Sequence, residues 1–206
     1  KNSTPGGRAR KFETEGFVFD MGPSWYWMPD VFETYFSHFG KKPSDYYELL
    51  RLDPSYAVIF GENDFVDIPA NLWEFRMLLE KMEPGVGPKL DKFLKQAAYK
   101  YKVGIQDLVY RPSRSLLEFT SPGLLLDMLR MDIFQSMSAH VRKFFKEEKI
   151  IRLMEFPVLF LGALPEDTPA LYSLMNYADI KGGTWYPDGG MFQIVKAMYD
   201  LAVELG

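Results

Sequence analysis

The chain has 206 residues, 47% of them hydrophobic, and sets 24 Lys and Arg against 28 Asp and Glu for a formal net charge of −4. This suits a globular domain with a sizeable core and argues against a nucleic-acid partner, which calls for a basic excess. Cysteine is absent and histidine occurs twice, as His38 and His140, so disulfides, thiolate nucleophiles and Cys-rich zinc sites are excluded and no metal site is expected.

From the N-terminus, residues 8–12 and 17–19 read as strands around the turn Glu13-Thr14-Glu15-Gly16, and Asp20-Met21-Gly22-Pro23-Ser24 breaks the pattern. A helix is expected from Pro29, carrying Val31, Phe32, Tyr35, Phe36 and Phe39 at helical spacing and closed by Gly40. Residues 55–60 and 65–68 flank Gly61-Glu62-Asn63-Asp64 as a β-hairpin. Helices follow: one capped by Asn71 with Leu72, Phe75, Leu79 and Met82, then a longer one after Pro84 with Leu90, Phe93, Leu94, Ala97, Tyr101, Ile105 and Leu108.

Downstream of Arg111-Pro112-Ser113, a short leucine-rich helix over 124–130 is expected. A further helix carries Ile133, Phe134, Met137, Val141, Phe144 and Phe145 on one stripe. The most apolar run, 153–164, is expected to be helical to Gly162, and its Glu155 and Pro157 make it too short and too interrupted for a bilayer span. After the loop 164–169 comes a helical stretch with Ala170, Leu171, Leu174, Met175 and Ala178. The Gly-rich turn or strand 182–190 leads into a last helix with Met191, Ile194, Val195, Met198, Leu201, Ala202 and Leu205.

Few side chains suggest chemistry of their own. Asp127 and Arg130, at i and i+3, and the upstream Glu118 are either a proton-handling set or solvated charges. His38 and His140 read as surface or cap residues, since no partner spacing suggests ligation. The 17 Phe, 12 Tyr, 4 Trp and 11 Met suit a wide apolar cavity, an interface or ordinary core. Gly6-Gly7-Arg8-Ala9 offers a backbone that a ligand can approach closely, followed by a guanidinium able to fork onto phosphate or carboxylate.

Taken in order, Pro5-Gly6-Gly7-Arg8-Ala9, then Glu15 to Ser24 (E-x-G-F-x-F-D-x-G-P-S), then Gly183-Thr184-Trp185-Tyr186-Pro187-Asp188-Gly189-Gly190 resemble the carotenoid phytoene desaturase family, within the FAD-dependent amine-oxidase-like flavoproteins. The Leu161-Gly162-Ala163-Leu164-Pro165 turn and Pro169–Met175 resemble further stretches of that family, whereas residues 48–121 are less diagnostic. The G-x-G-x-x-G unit with which such flavoproteins begin is absent from this chain.

The resemblance implies an internal fragment of an FAD-dependent oxidoreductase that dehydrogenates phytoene or a similar C30–C40 polyene in carotenoid biosynthesis, the isolated chain being inactive. The implied fold is α+β, a substrate-binding domain with a partial mixed β-sheet under a layer of helices. Residues 1–25 would be an edge of the FAD-binding domain, 26–180 the substrate-binding domain, and 181–206 the return toward the cofactor. Gly6, Gly7, Arg8 and Ala9 would lie against FAD, Gly22, Pro23 and Ser24 would approach the flavin, and Trp185, Tyr186, Gly189 and Gly190 would line the substrate side. No catalytic side chain is assigned. A cytoplasmic place is expected, with a peripheral membrane contact through apolar helices bearing Arg130, Arg142, Lys143, Lys146, Lys149 and Arg152 as an option. A related isomerase, saturase or oxygenase, or a non-enzymatic domain for an apolar ligand or a partner, is the alternative.

Overall fold

The computed structural model describes residues 4–110 and 131–206. Asp127, Arg130, Glu118 and the expected helix 124–130 lie outside the described residues. Contacts divide the chain into two compact units, Lys1–Ala70 with Gly182–Gly206, and Asn71–Lys181.

The first unit opens with the hairpin of β1 (Arg10–Thr14) and β2 (Phe17–Met21), in register from Arg10 opposite Met21 to Thr14 opposite Phe17. Its connecting residues Glu15 and Gly16 both have positive φ, 50° and 83°; that is the mirror-image turn whose twist matches two paired strands. Helix α1 (Pro29–Ser37) has Pro in its first turn, and Gly40 at φ 69° follows its end. Strand β3 (Leu49–Arg51) pairs with β6 (Trp185–Pro187), and β4 (Tyr56–Gly61) pairs with β5 (Asp64–Ile68). The core gathers Tyr26, Phe36, Tyr47, Met191, Ala197 and Leu201, the last three from the segment leading into and forming the C-terminal helix (Phe192–Glu204).

The architecture is α+β, but the strands form three separate two-stranded antiparallel ladders among the described residues, where one partial mixed sheet was expected. Two of the ladders are hairpins closed by two-residue turns, a connection that permits only antiparallel pairing; a parallel neighbour needs a long crossover.

The second unit is helical. Helix α2 (Leu72–Met82) is capped as expected: the Asn71 side chain accepts from the N–H groups of Trp73 and Glu74 at 2.8 and 3.3 Å. Helix α3 (Gly87–Tyr101) buries the expected stripe of Leu90, Phe93, Leu94, Ala97 and Tyr101, and passes at Lys102–Leu108 into a wider π-helical turn containing Gly104. The expected long helix around Met137 is only five residues, α4 (Met137–Val141). Two local choices shorten it. Asp132 adopts φ 53°, and Ser136 turns extended to cap the helix, its Oγ accepting from Ala139 N at 3.2 Å. Phe134 is left 86% exposed. Helix α5 (Glu148–Glu155) buries Ile150, Ile151, Leu153 and Met154, then tightens into a 3₁₀ segment, Phe156–Leu161, that ends at Gly162 with φ 68°. Pro157 lacks the N–H an α-helix would use there. A short helix α6 (Leu174–Tyr177) completes the unit, which makes the C-terminal helix α7. No helix among the described residues is long and apolar enough to cross a membrane.

Candidate functional site

In the first unit one carboxylate ties the second motif segment to the third and to the start of α7. Asp20, the last inward residue of β2 before the Gly22-Pro23 turn, accepts from Tyr186 Oη at 2.5 Å, from Met191 N at 2.9 Å and from Phe192 N at 3.3 Å. It thereby satisfies N–H groups that the first turn of α7 leaves without intrahelical partners, and its charge suits the positive end of that helix. The Tyr186 hydroxyl is pushed up to about 12, first by this hydrogen bond and then by burial.

Glycine is required where these segments approach. Gly22 sits at φ 132°, and a Cβ there would lie 2.2 Å from the Arg8 carbonyl oxygen, so the Gly22-Pro23-Ser24 turn closes directly onto the Gly6–Ala9 turn. Gly190 at φ 99° faces Asp20 so closely that a Cβ would lie 3.2 and 3.3 Å from its carboxylate oxygens. The Gly6–Ala9 turn is closed by Ala9 N donating to Gly6 O at 2.8 Å, and a Cβ on Gly6 would meet both Val195 methyls at 3.1 Å. Motifs far apart in sequence therefore share one side of one unit.

A family model described as flavin containing amine oxidoreductase matches residues 2–206. The chain belongs to this family. Among curated relatives it is 38% identical to a carotenoid 3,4-desaturase from Haloarcula japonica, 34% identical to a zeta-carotene-forming phytoene desaturase from Myxococcus xanthus, and 33% identical to a 4,4'-diapolycopene oxygenase from a Methylomonas species. Each alignment covers 100% of this chain and 42%, 40% and 42% of the relative. The chain spans about two fifths of the length of the curated relatives it matches.

The Gly6–Ala9 turn suits the anionic dinucleotide of such a flavoprotein. Gly6, Gly7 and Arg8 are exposed, and the position a Cβ on Gly7 would take has no heavy atom within 4 Å. The turn thus offers an unobstructed backbone beside a permanent cation. Gly22, Pro23 and Ser24 are exposed next to it.

Trp185 and Tyr186 are half-buried. The Trp185 indole donates to Gly182 O at 2.9 Å, the Arg51 guanidinium stands 5.3 Å from its ring centroid, and its backbone exchanges hydrogen bonds with Tyr26 at 2.9 and 3.1 Å. Trp27 Nε1 donates to Thr184 Oγ1 at 2.8 Å and its ring stacks on Trp25, which meets Tyr56 at 5.2 Å. A groove of about 900 Å³ opens nearby on the same unit, lined by Tyr26, Pro29, Pro43, Tyr47 and Leu49 among others. At its wall the Tyr26 and Tyr47 hydroxyls pair at 3.0 Å, and burial raises the pKa of both.

Two residues escaped the sequence reading. Asp20 organises the motif cluster, and its signal was its place inside E-x-G-F-x-F-D-x-G-P-S. His140, expected at the surface or as a cap, is 2% exposed. It is buried because it packs between the Phe93 and Phe144 rings, 5.7 and 5.3 Å away, beside the fully buried Lys100. Lys100 Nζ lies 3.0 Å from Asp132 Oδ2, 3.0 Å from Ala170 O, 3.1 Å from Ser173 Oγ and 3.4 Å from His140 Nε2. Burial, and next the Lys100 charge, hold the His140 pKa down to about 4, so its ring is neutral near pH 7. His38, by contrast, is the exposed residue that ends α1. No group of three or more His, Cys, Asp or Glu among the described residues could hold a metal ion.

Proposed function

We propose that this chain is part of an FAD-dependent carotenoid desaturase that dehydrogenates phytoene or a similar C30–C40 polyene in carotenoid biosynthesis. The observation that carries this reading is that Asp20 joins the second motif segment to the third while the Gly22 turn closes onto the open Gly6–Ala9 turn. Gly6, Gly7, Arg8 and Ala9 hold the pyrophosphate side of FAD, and Gly22, Pro23 and Ser24 approach the flavin as the chain leaves the cofactor domain. Trp185, Tyr186, Gly189 and Gly190 line the substrate side. FAD held there would supply the two-electron acceptor for the dehydrogenation, in which the polyene gives up a hydride and a proton as the new double bond forms.

What these residues contribute is position and dryness. A hydrocarbon offers no polar handle, so its alignment rests on apolar walls. The half-buried faces of Trp185 and Tyr186, together with the groove that Tyr26 joins to Trp185 through backbone hydrogen bonds, supply such walls. On this reading, residues 1–25 and 181–206 belong to the edge of the cofactor domain and 26–180 to the substrate domain.

On this reading the enzyme works in the cytoplasm with a peripheral lipid contact, because a hydrocarbon substrate partitions into lipid rather than water. Support comes from the turn around the 3₁₀ segment, where Leu159, Phe160, Leu161 and Leu164 are 56%, 50%, 44% and 61% exposed. The basic residues contribute less than their number suggests, since Arg142 and Arg152 share Glu148 at 3.1 and 3.5 Å. The second reading is an oxygenase acting on a related carotenoid, favoured by the 33% identity to the diapolycopene oxygenase.

The full reading frame, purified and incubated with phytoene, with ζ-carotene and with an end-desaturated C30 carotenoid, separates these readings. Bound flavin absorbance with new conjugated double bonds in the product supports the desaturase. An oxygen-bearing terminal carbon supports the oxygenase, and a protein that neither carries nor takes up FAD overturns both.

A further inference from the structure

Arg51 belongs to none of the motif segments, yet Arg51-Leu52-Asp53 holds both ends of the chain's excursion into the second unit. The chain leaves the first unit at Ala70 and re-enters it at Gly182. On the leaving side both backbone groups of Ala70 are taken: its oxygen accepts from Arg51 Nη2 at 3.2 Å and its N–H donates to Asp53 Oδ1 at 3.0 Å. On the returning side Leu52 N donates to Thr184 O at 3.1 Å, and Arg51 stands opposite Trp185 in the β3–β6 ladder. Directly opposed residues project to the same face of a ladder, and the Arg51 guanidinium accordingly stands over the Trp185 ring, 5.3 Å from its centroid.

Gly183 makes room for this contact. It has φ 92°, and a Cβ there would lie 1.0 Å from Arg51 Nη1 and 2.0 Å from Cζ, so the guanidinium fills the space of the missing side chain. A glycine of the third motif thus serves an arginine. An unbranched apolar side chain would fill the same half-buried slot without the cost of desolvating a cation. What it would not supply is direction. The guanidinium holds the ring and donates to Ala70 O at once, which a lysine ammonium matches only in part. Trp185 also packs against the Tyr26 core cluster and donates its indole N–H to Gly182 O at 2.9 Å. With Arg51 over its ring, this half-buried side chain is held in a single orientation.

We propose that Arg51 is a positioning residue for the dehydrogenation, acting through Trp185: its guanidinium holds the indole ring in the orientation that sets the register of the polyene. The inference rests on the reading of Trp185 as part of the substrate wall. A hydrocarbon is aligned by the shape of its walls, and a displacement of about 1 Å at a positioning group costs on the order of a hundredfold in rate. A turned ring still offers the polyene apolar area, so binding changes less than alignment.

The test uses the flavin-loaded full-length protein, labelled with 5-fluorotryptophan, and phytoene as substrate. The fluorine resonance of Trp185 is identified by its loss in Trp185→Phe. Arg51→Met is expected to shift or broaden that resonance, to leave bound FAD unchanged, and to lower kcat and kcat/KM together by about tenfold. Arg51→Lys, which keeps a cation over the ring, should retain kcat within about threefold. In a Trp185→Leu background Arg51→Met should change kcat by less than about twofold, because the ring it acts through is gone. A full effect of Arg51→Met in that background shows a merely structural role and overturns the proposal. An active parent whose Arg51→Met variant keeps both its resonance and its kcat overturns this inference alone. A full-length parent that dehydrogenates no polyene overturns the underlying reading and this inference with it. Arg51→Gln, which keeps a donor and removes the cation, repeats the measurement should Arg51→Met lose its flavin.

Discussion

At the scale of single residues, Asp20 and His140 make opposite uses of burial. Asp20 collects three donors from Tyr186, Met191 and Phe192, so replacing it with Asn turns an all-acceptor group into one that presents an NH₂ to those donors. Asp20→Asn should destabilise the first unit by about 2 kcal/mol, read by chemical denaturation of the full-length protein, with Tyr186→Phe costing less because it removes one donor. His140 is held neutral by burial and by Lys100. Its folded pKa of about 4 lies below its ordinary 6.5, so the unfolded chain takes up this proton first as pH falls. The stability it contributes is fully present above about pH 6.5 and is lost progressively toward pH 4, a change on the order of 3 kcal/mol. His140→Phe, which keeps the contacts with Phe93 and Phe144, should flatten the stability profile between those pH values; an unchanged slope would show that other groups carry it.

At the scale of elements, the local signals were strongest where a turn demands a particular backbone. The hairpin turn at Glu15-Gly16, the Asn71 cap and the Pro29 start all lie where their residue types predict. The long helix predicted around Met137 did not form, because Asp132 takes a left-handed φ of 53° and Ser136 turns extended to cap the short helix with its side chain. The Gly22 turn joins element and site. A Cβ there would meet the Arg8 carbonyl oxygen at 2.2 Å in a backbone conformation that L residues rarely adopt. Gly22→Ala should therefore cost at least about 2 kcal/mol and open the Gly6–Ala9 turn, seen as lost flavin absorbance after gel filtration of the full-length enzyme.

At the scale of the whole molecule, the chain is two compact units, and the longest-range information in its sequence is the order of three motifs. That order was legible because glycine, proline and a lone acidic residue in fixed spacing mark backbone geometries that few other residues allow. The exposed apolar turn of Leu159, Phe160 and Leu161 leads to a prediction of the same reach. Phe160→Asp together with Leu159→Asp should reduce flotation of the full-length protein with phosphatidylcholine–phosphatidylglycerol liposomes several-fold while leaving FAD content unchanged. Equal flotation of variant and parent would remove the lipid contact from the proposed function.

The sequence by itself determined the alternation of hairpins and helices, the capping and turn positions, and the family to which the flavin motifs belong, because each rests on interactions among near neighbours. Only the tertiary structure decided that the strands stand as separate antiparallel pairs, that Asp20 ties β2 to the start of α7, and that Lys100, Asp132 and His140 meet in the second unit. Those outcomes depend on contacts between residues up to 172 positions apart in the chain. A polar residue's burial is set by which partners arrive there, and composition and periodicity carry no record of that arrival.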